Sequence, residues 1–181
     1  MFGNTGLFTR LVVSATLIFA LGFSALRAQD SELEDIKYKE DYDRIQAILK
    51  ISDALKRGDR ILSLYKDRPD MDPKLRAYVD SLFARDLESL MKKQNFTAMR
   101  SLCERAIKIR PRFGEIYLFQ GIVFKNEKKL DEAMTAFARC YVIKNQFQTR
   151  AKQQLDLLFR AAHGSLIGQE NLIKEAMKGL K

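Results

Sequence analysis

Residues 114–147 read GEIYLFQGIVFKNEKKLDEAMTAFARCYVIKNQF. Within this stretch Tyr117, Gly121, Phe124, Ala133, Phe137 and Cys140 follow one another at intervals of 4, 3, 9, 4 and 3. Positions three and four apart share one face of a helix, so the spacing predicts two amphipathic helices joined by a tight turn. The pattern recurs one period upstream. Phe83 precedes Tyr117 by 34 residues, and Leu90, Phe96, Met99 and Cys103 stand in the same relation to Phe124, Leu130, Ala133 and Phe137.

A 34-residue helix–turn–helix period with these residue types resembles the tetratricopeptide repeat. Residues 80–113 and 114–147 are the two units that carry the resemblance, with Ala106 and Pro111 at the closing alanine and proline positions of the first. Leu87 and Met99 depart from the family's glycine and first alanine. The resemblance implies an all-α, antiparallel helix-pair solenoid coiled as a right-handed superhelix. It also implies a concave groove that holds a partner's peptide or helix. Carried over position by position, the groove comprises Ser81, Ala84, Glu88 and Met91, then Glu115, Leu118, Ile122 and Lys125. The following helix adds Thr149, Lys152, Asp156 and Phe159. Family members that clamp a C-terminal carboxylate use Lys and Asn where this chain has Ala84/Glu88 and Leu118/Ile122, which argues against such a clamp. An apolar surface with a few charges suits an amphipathic segment instead. The alternative is that the chain's own terminal helix covers Leu118 and Ile122.

Flanking segments read as further helices. Asp72-Pro73 is a helix start, a capping carboxylate followed by a proline whose missing N–H costs nothing there. From it to about Lys93 the apolar line is Leu75, Tyr78, Leu82, Phe83, Leu87 and Leu90, and Gln94-Asn95 makes the turn into a helix over 96–110. Asp30 to about Lys56 reads as one amphipathic helix, turned at Arg57-Gly58-Asp59 into a short helix that ends by Pro69. Segment 29–71 can thus be read as a degenerate first repeat. The repeats and the helix after them fill 72–162, and 163–181 supplies a capping helix with Leu172, Ile173, Ala176, Met177 and Leu180 on one side.

The first 28 residues read as an export signal. Arg10 precedes a 16-residue apolar run, Leu11 to Leu26, and Ala28 offers a cleavage site. A spanning helix wants about 20 apolar residues, so a cleaved signal is favoured over a permanent N-terminal anchor. The expected location is the periplasm or the medium, with a mature chain of 153 residues from Gln29.

Loss of Arg10 and Arg27 lowers the formal charge from +9 to +7. Residues 30–44 hold seven acids against Lys37, Lys39 and Arg44, which leaves about +11 on 45–181. Such a body can attract anionic lipid or an acidic envelope polymer, and Arg100, Arg105, Lys108, Arg110 and Arg112 give that reading a cluster. The plainer reading is a solvated helical surface. Nucleic acid is not an expected partner of an exported chain.

Chemistry is sparse. The single histidine, His163, adjoins Gly164 at a helix end, where it suits terminal carbonyls better than proton transfer. Asp131-Glu132 suits the first turn of a helix. Cys103 and Cys140 sit on apolar faces as buried thiols or, if their Cα atoms approach within about 7 Å, a bridge. The 9 glycines form no phosphate-binding pattern, and Asn95-Phe96-Thr97, a glycosylation sequon, reads as a turn. No catalysis, metal or cofactor is expected. The sequence therefore predicts an exported scaffold or adaptor that binds a protein or peptide segment, with a polyanion- or lipid-binding helical protein as the alternative.

Overall fold

The computed structural model describes residue 35 and residues 37–180, so the export signal of 1–28 lies outside the described residues. Those residues form helices joined by turns, with no strand among them. None of the helices is long and apolar enough to cross a membrane. The chain divides into compact units at Arg44/Ile45. In the first unit residues 37–44 are helical and leave Tyr38 and Tyr42 half exposed.

Helix α1 runs over 37–49. It is followed by α2 (Ala54–Asp67), α3 (Pro73–Lys92), α4 (Phe96–Ile109), α5 (Gly114–Asn126), α6 (Leu130–Val142), α7 (Gln148–His163) and α8 (Gln169–Lys178). From α2 to α7 each helix packs on its successor, and α2/α4, α3/α5 and α6/α8 pack as well. Burial falls into two apolar clusters. One gathers α2, α3 and α4 with Ile116, Phe119 and Val123 of α5, and the other joins Tyr117 and Leu118 of α5 to α6, α7 and Ala176 of α8.

The Asp72-Pro73 start is as expected: Asp72 accepts from the N–H groups of Lys74 and Leu75, and Pro73 opens α3. Asp131 and Glu132 lie in the first turn of α6. Gly164, with φ 74°, closes α7 behind His163, whose ring centre lies 4.4 Å from that of Phe159 with the planes tilted by 45°. Cys103 and Cys140 are both free and buried, with no bridge.

The 34-residue period reaches backbone detail. Gln94 and Lys128 both take the left-handed conformation, with φ of 54° and 61°. Around the first, Asn95 N–H bonds to Leu90 O at 2.9 Å and Gln94 N–H to Met91 O at 2.9 Å. Around the second, Lys129 N–H bonds to Phe124 O at 2.9 Å and Lys128 N–H to Lys125 O at 3.1 Å. Each turn is thus a Schellman closure in which two hydrogen bonds satisfy terminal carbonyls, and each carries a non-glycine at the left-handed position.

The N-terminal segment differs from expectation. The break falls at 50–53, not at Arg57-Gly58-Asp59, which lies inside α2. Asp53 is the reason: its carboxylate accepts from Lys56 N–H at 2.8 Å and caps a new helix. Gly58 serves packing rather than turning, because a Cβ there would lie 2.8 Å from Leu102 Cδ1 of α4. On α3 the buried line runs through Val79, and Tyr78 is 45 % exposed. Met177, expected on the inner face of α8, is 57 % exposed.

Candidate functional site

The turn around Gln94 folds α4 back against the end of α3, which sets Phe96 beside Met91. On α5, positions 122, 125 and 126 share a face at helical spacing and present Ile122, Lys125 and Asn126. Arg150 and Gln154, four apart on α7, complete the wall. These seven side chains line an open cleft of about 410 Å³. Its floor is apolar: Met91 and Phe96 pack on the first core cluster, and Ile122 packs on both. α7 packs on α6, leaving the space beside α5 to be bridged by Lys125 Nζ, which donates to Gln154 Oε1 at 3.0 Å.

Of the residues carried over from the repeat, Met91, Ile122 and Lys125 meet in this cleft. Others do not reach it. Leu118 is 0 % exposed within the α5–α6–α7 cluster and Ala84 is buried in the other, so neither offers a surface to a partner. The expected anchor pair Leu118/Ile122 is corrected to Ile122 alone. Phe159 is buried too. Lys152 donates to Asp156 and, at 2.9 Å, to Gln169 Oε1 near the start of α8. Burial alone would raise the Asp156 carboxyl, but its hydrogen bonds with Lys152 and Gln169 outweigh that and hold it below its ordinary value. Glu88 is half-buried, whereas Ser81 and Thr149 are exposed.

Glu115 belongs to a different neighbourhood. Burial, with Asp80 close by, raises its carboxyl pKa. Asp80 accepts from Tyr65 Oη at 2.6 Å and from both terminal nitrogens of Arg110. The Arg110 guanidinium lies 4.7 Å from the Tyr65 ring centre and 4.6 Å from that of Phe113. Burial and the adjacent Asp80 push the Tyr65 hydroxyl well above its ordinary value. This network ties α2 and α3 to the α4–α5 loop, a packing role. It also alters the basic cluster of the sequence. Arg110 is held by Asp80, Arg105 pairs with Asp59, and Arg100 reaches Glu104 at 2.8 Å and Glu127 at 3.0 Å. Lys108 and Arg112 are left as its unpaired cations among the described residues.

Asn126, Arg150 and Gln154 line the cleft without having been singled out in the sequence, and Phe96, read there as a repeat position and not as part of the groove, lines it too. The carry-over places α7 as a groove helix beside α5, so it selects Lys152 and Asp156; the packing turns those toward α8 and brings the adjacent stripe 150/154 to the cleft. The 4-residue spacing of Arg150 and Gln154 was the available signal. Among the described residues, no three His, Cys, Asp or Glu side chains gather as metal ligands would. No protein-family model, no curated protein and no solved structure matches the chain.

Proposed function

We propose that this chain is a non-catalytic scaffold or adaptor built as a tetratricopeptide-like solenoid, a right-handed stack of helix pairs, and exported to the cell envelope through its N-terminal signal. Its task is to hold a segment of another protein in the cleft between α3, α5 and α7. The observation that carries this reading is the convergence of Met91, Ile122 and Lys125, three positions read from the repeat pattern, on one open cleft with an apolar floor. The Schellman turns 34 residues apart support the repeat part of the proposal. The polyanion alternative loses its main cluster, because Arg100, Arg105 and Arg110 are already neutralised by carboxylates within the chain.

A photo-cross-linking residue placed at Ile122, with a control at exposed Tyr78, tests the proposal in cells. A discrete adduct that forms at 122, is absent at 78 and disappears when Met91→Glu is added supports partner capture in the cleft. Equal adducts at both positions, or none, count against it.

A further inference from the structure

We infer that the cleft accepts an acidic segment, one or two apolar side chains flanked by Asp or Glu; this rests on the cleft being a partner site and adds its chemistry. The argument starts from charge accounting. Several arginines of this chain find carboxylates, Arg57 with Asp86, Arg100 with Glu104 and Glu127, Arg105 with Asp59 and Arg110 with Asp80, while exposed cations such as Lys108 and Arg112 do not. The cleft gathers two such cations with no carboxylate beside them. Lys125 bonds only to the neutral amide of Gln154, and Arg150 takes part in no ion pair among the described residues. No carboxylate lines the cleft. Glu127, one residue beyond the end of α5, is engaged by Arg100 and Lys129.

Arg150 also stands near the start of its helix. Cations near a helix N-terminus oppose the macrodipole, and the usual occupants of a first turn are Asp and Glu. Arg150 stands third in α7, whose first turn has no acid and whose N-cap, Phe147, makes no side-chain hydrogen bond. Lys56 in α2 and Lys74 in α3 stand in first turns that also lack an acid, so what sets Arg150 apart is Lys125 across the same cleft. An anion delivered from outside would meet Arg150 and Lys125 together. The apolar floor of Met91, Phe96 and Ile122 asks in turn for an apolar side chain between the carboxylates.

The test uses the chain from Gln29 onward and capped hexapeptides in a fluorescence-anisotropy titration. The probes are two leucines flanked by glutamate pairs, the same with lysine pairs, and two glycines flanked by glutamate pairs. Acetylated and amidated ends remove terminal charges, so a terminal carboxylate cannot be what binds. Expected is binding of the Glu–Leu probe that is about tenfold tighter than that of the Lys–Leu and Glu–Gly probes, the scale of one charge-assisted contact. Arg150→Glu and Lys125→Glu, both on exposed side chains that leave the helical circular dichroism intact, should each weaken the Glu–Leu probe and strengthen the Lys–Leu probe. Equal binding of both charged probes, with loss in Ile122→Glu, overturns the acidic preference and leaves the partner cleft standing. No binding of any probe, together with no cross-link at 122, overturns both.

Discussion

Gly121 on α5 lies so close to Phe137 on α6 that a Cβ at the glycine would stand 2.5 Å from the ring's Cε1. The repeat upstream solves the same contact differently. At the equivalent positions it carries Leu87 and Cys103, both completely buried. The bulk has moved from one helix of the pair to the other, glycine facing phenylalanine in one unit and leucine standing with cysteine in the other. Gly121→Ala gains about 1 kcal/mol of helix propensity. It meets a ring that cannot retreat from a filled core, at a cost of about 2–3 kcal/mol. A net loss of about 1–2 kcal/mol is expected in urea unfolding. The decisive variant is the transplanted pair: Gly121→Leu with Phe137→Cys should recover most of what Gly121→Leu alone loses. If the two losses simply add, the contact is not the coupled one inferred.

The turns yield a prediction of opposite sign. Gln94 and Lys128 hold φ of 54° and 61°, a region that costs an L-residue about 1 kcal/mol or more. Both are exposed, so their side chains have little packing to lose. Gln94→Gly and Lys128→Gly should each stabilise the fold by about 0.5–1 kcal/mol, where glycine inside a helix would destabilise it. The melting temperature reports this directly, and a fall for either variant would show that its side chain contributes more than its backbone costs.

How far the sequence could be read depends on which force set each feature. Periodicity placed α3 to α7 within a few residues, because a 34-residue apolar rhythm leaves one way to bury both faces of a turn. It misplaced the first break because two signals competed. Gly58 in Arg57-Gly58-Asp59 looks like a turn, yet it is the small residue that lets Leu102 approach, and the real boundary is marked by Asp53 alone. The cleft was half legible. Met91, Ile122 and Lys125 follow from position within the repeat, whereas Leu118 is drawn into the core and Arg150 and Gln154 depend on how α7 leans on α6. That angle is a tertiary outcome with no local code.

The buried pair between Arg57 and Asp86 sets up a test of pH dependence. Arg57 Nε lies 3.0 Å from both Asp86 oxygens, and the Asp86 side chain is wholly enclosed. Burial raises the Asp86 carboxyl above its ordinary 3.8 and outweighs the opposing pull of Arg57. A raised folded-state pKa means the native chain binds the proton more tightly than the unfolded one. The group's contribution is therefore fully present below 3.8 and is lost as pH rises through the folded value. The stability of the natural chain relative to Asp86→Asn should accordingly fall across that window as pH rises. Asp86→Ala, which strands a half-buried guanidinium, should cost about 3 kcal/mol at neutral pH. A relative stability that rises with pH would mean that Arg57 dominates after all.

Thiol chemistry offers the last test, because Cys103 and Cys140 lie at core positions of the two repeats and have no solvent exposure. Burial raises both thiols, and Cys140 is pushed up to about 12. The thiolate is the reactive form, so neither cysteine can react at neutral pH while the fold is closed. Labelling by a disulfide reagent should therefore wait for opening of the chain. Its rate should rise with urea in step with unfolding and be insensitive to reagent concentration once the reagent is in excess. Each thiol also reports on its own neighbourhood: Cys103 belongs to the α2–α4 cluster and Cys140 to the α5–α7 cluster. If the helices fold as one cooperative unit, a single-cysteine pair of variants, Cys103→Ala and Cys140→Ala, will label at the same rate. If the clusters open separately, as nearest-neighbour repeat units can, the thiol in the less stable half will label first and Gly121→Ala will speed Cys140 without touching Cys103. Rapid labelling of either thiol in the absence of urea would contradict its enclosed position.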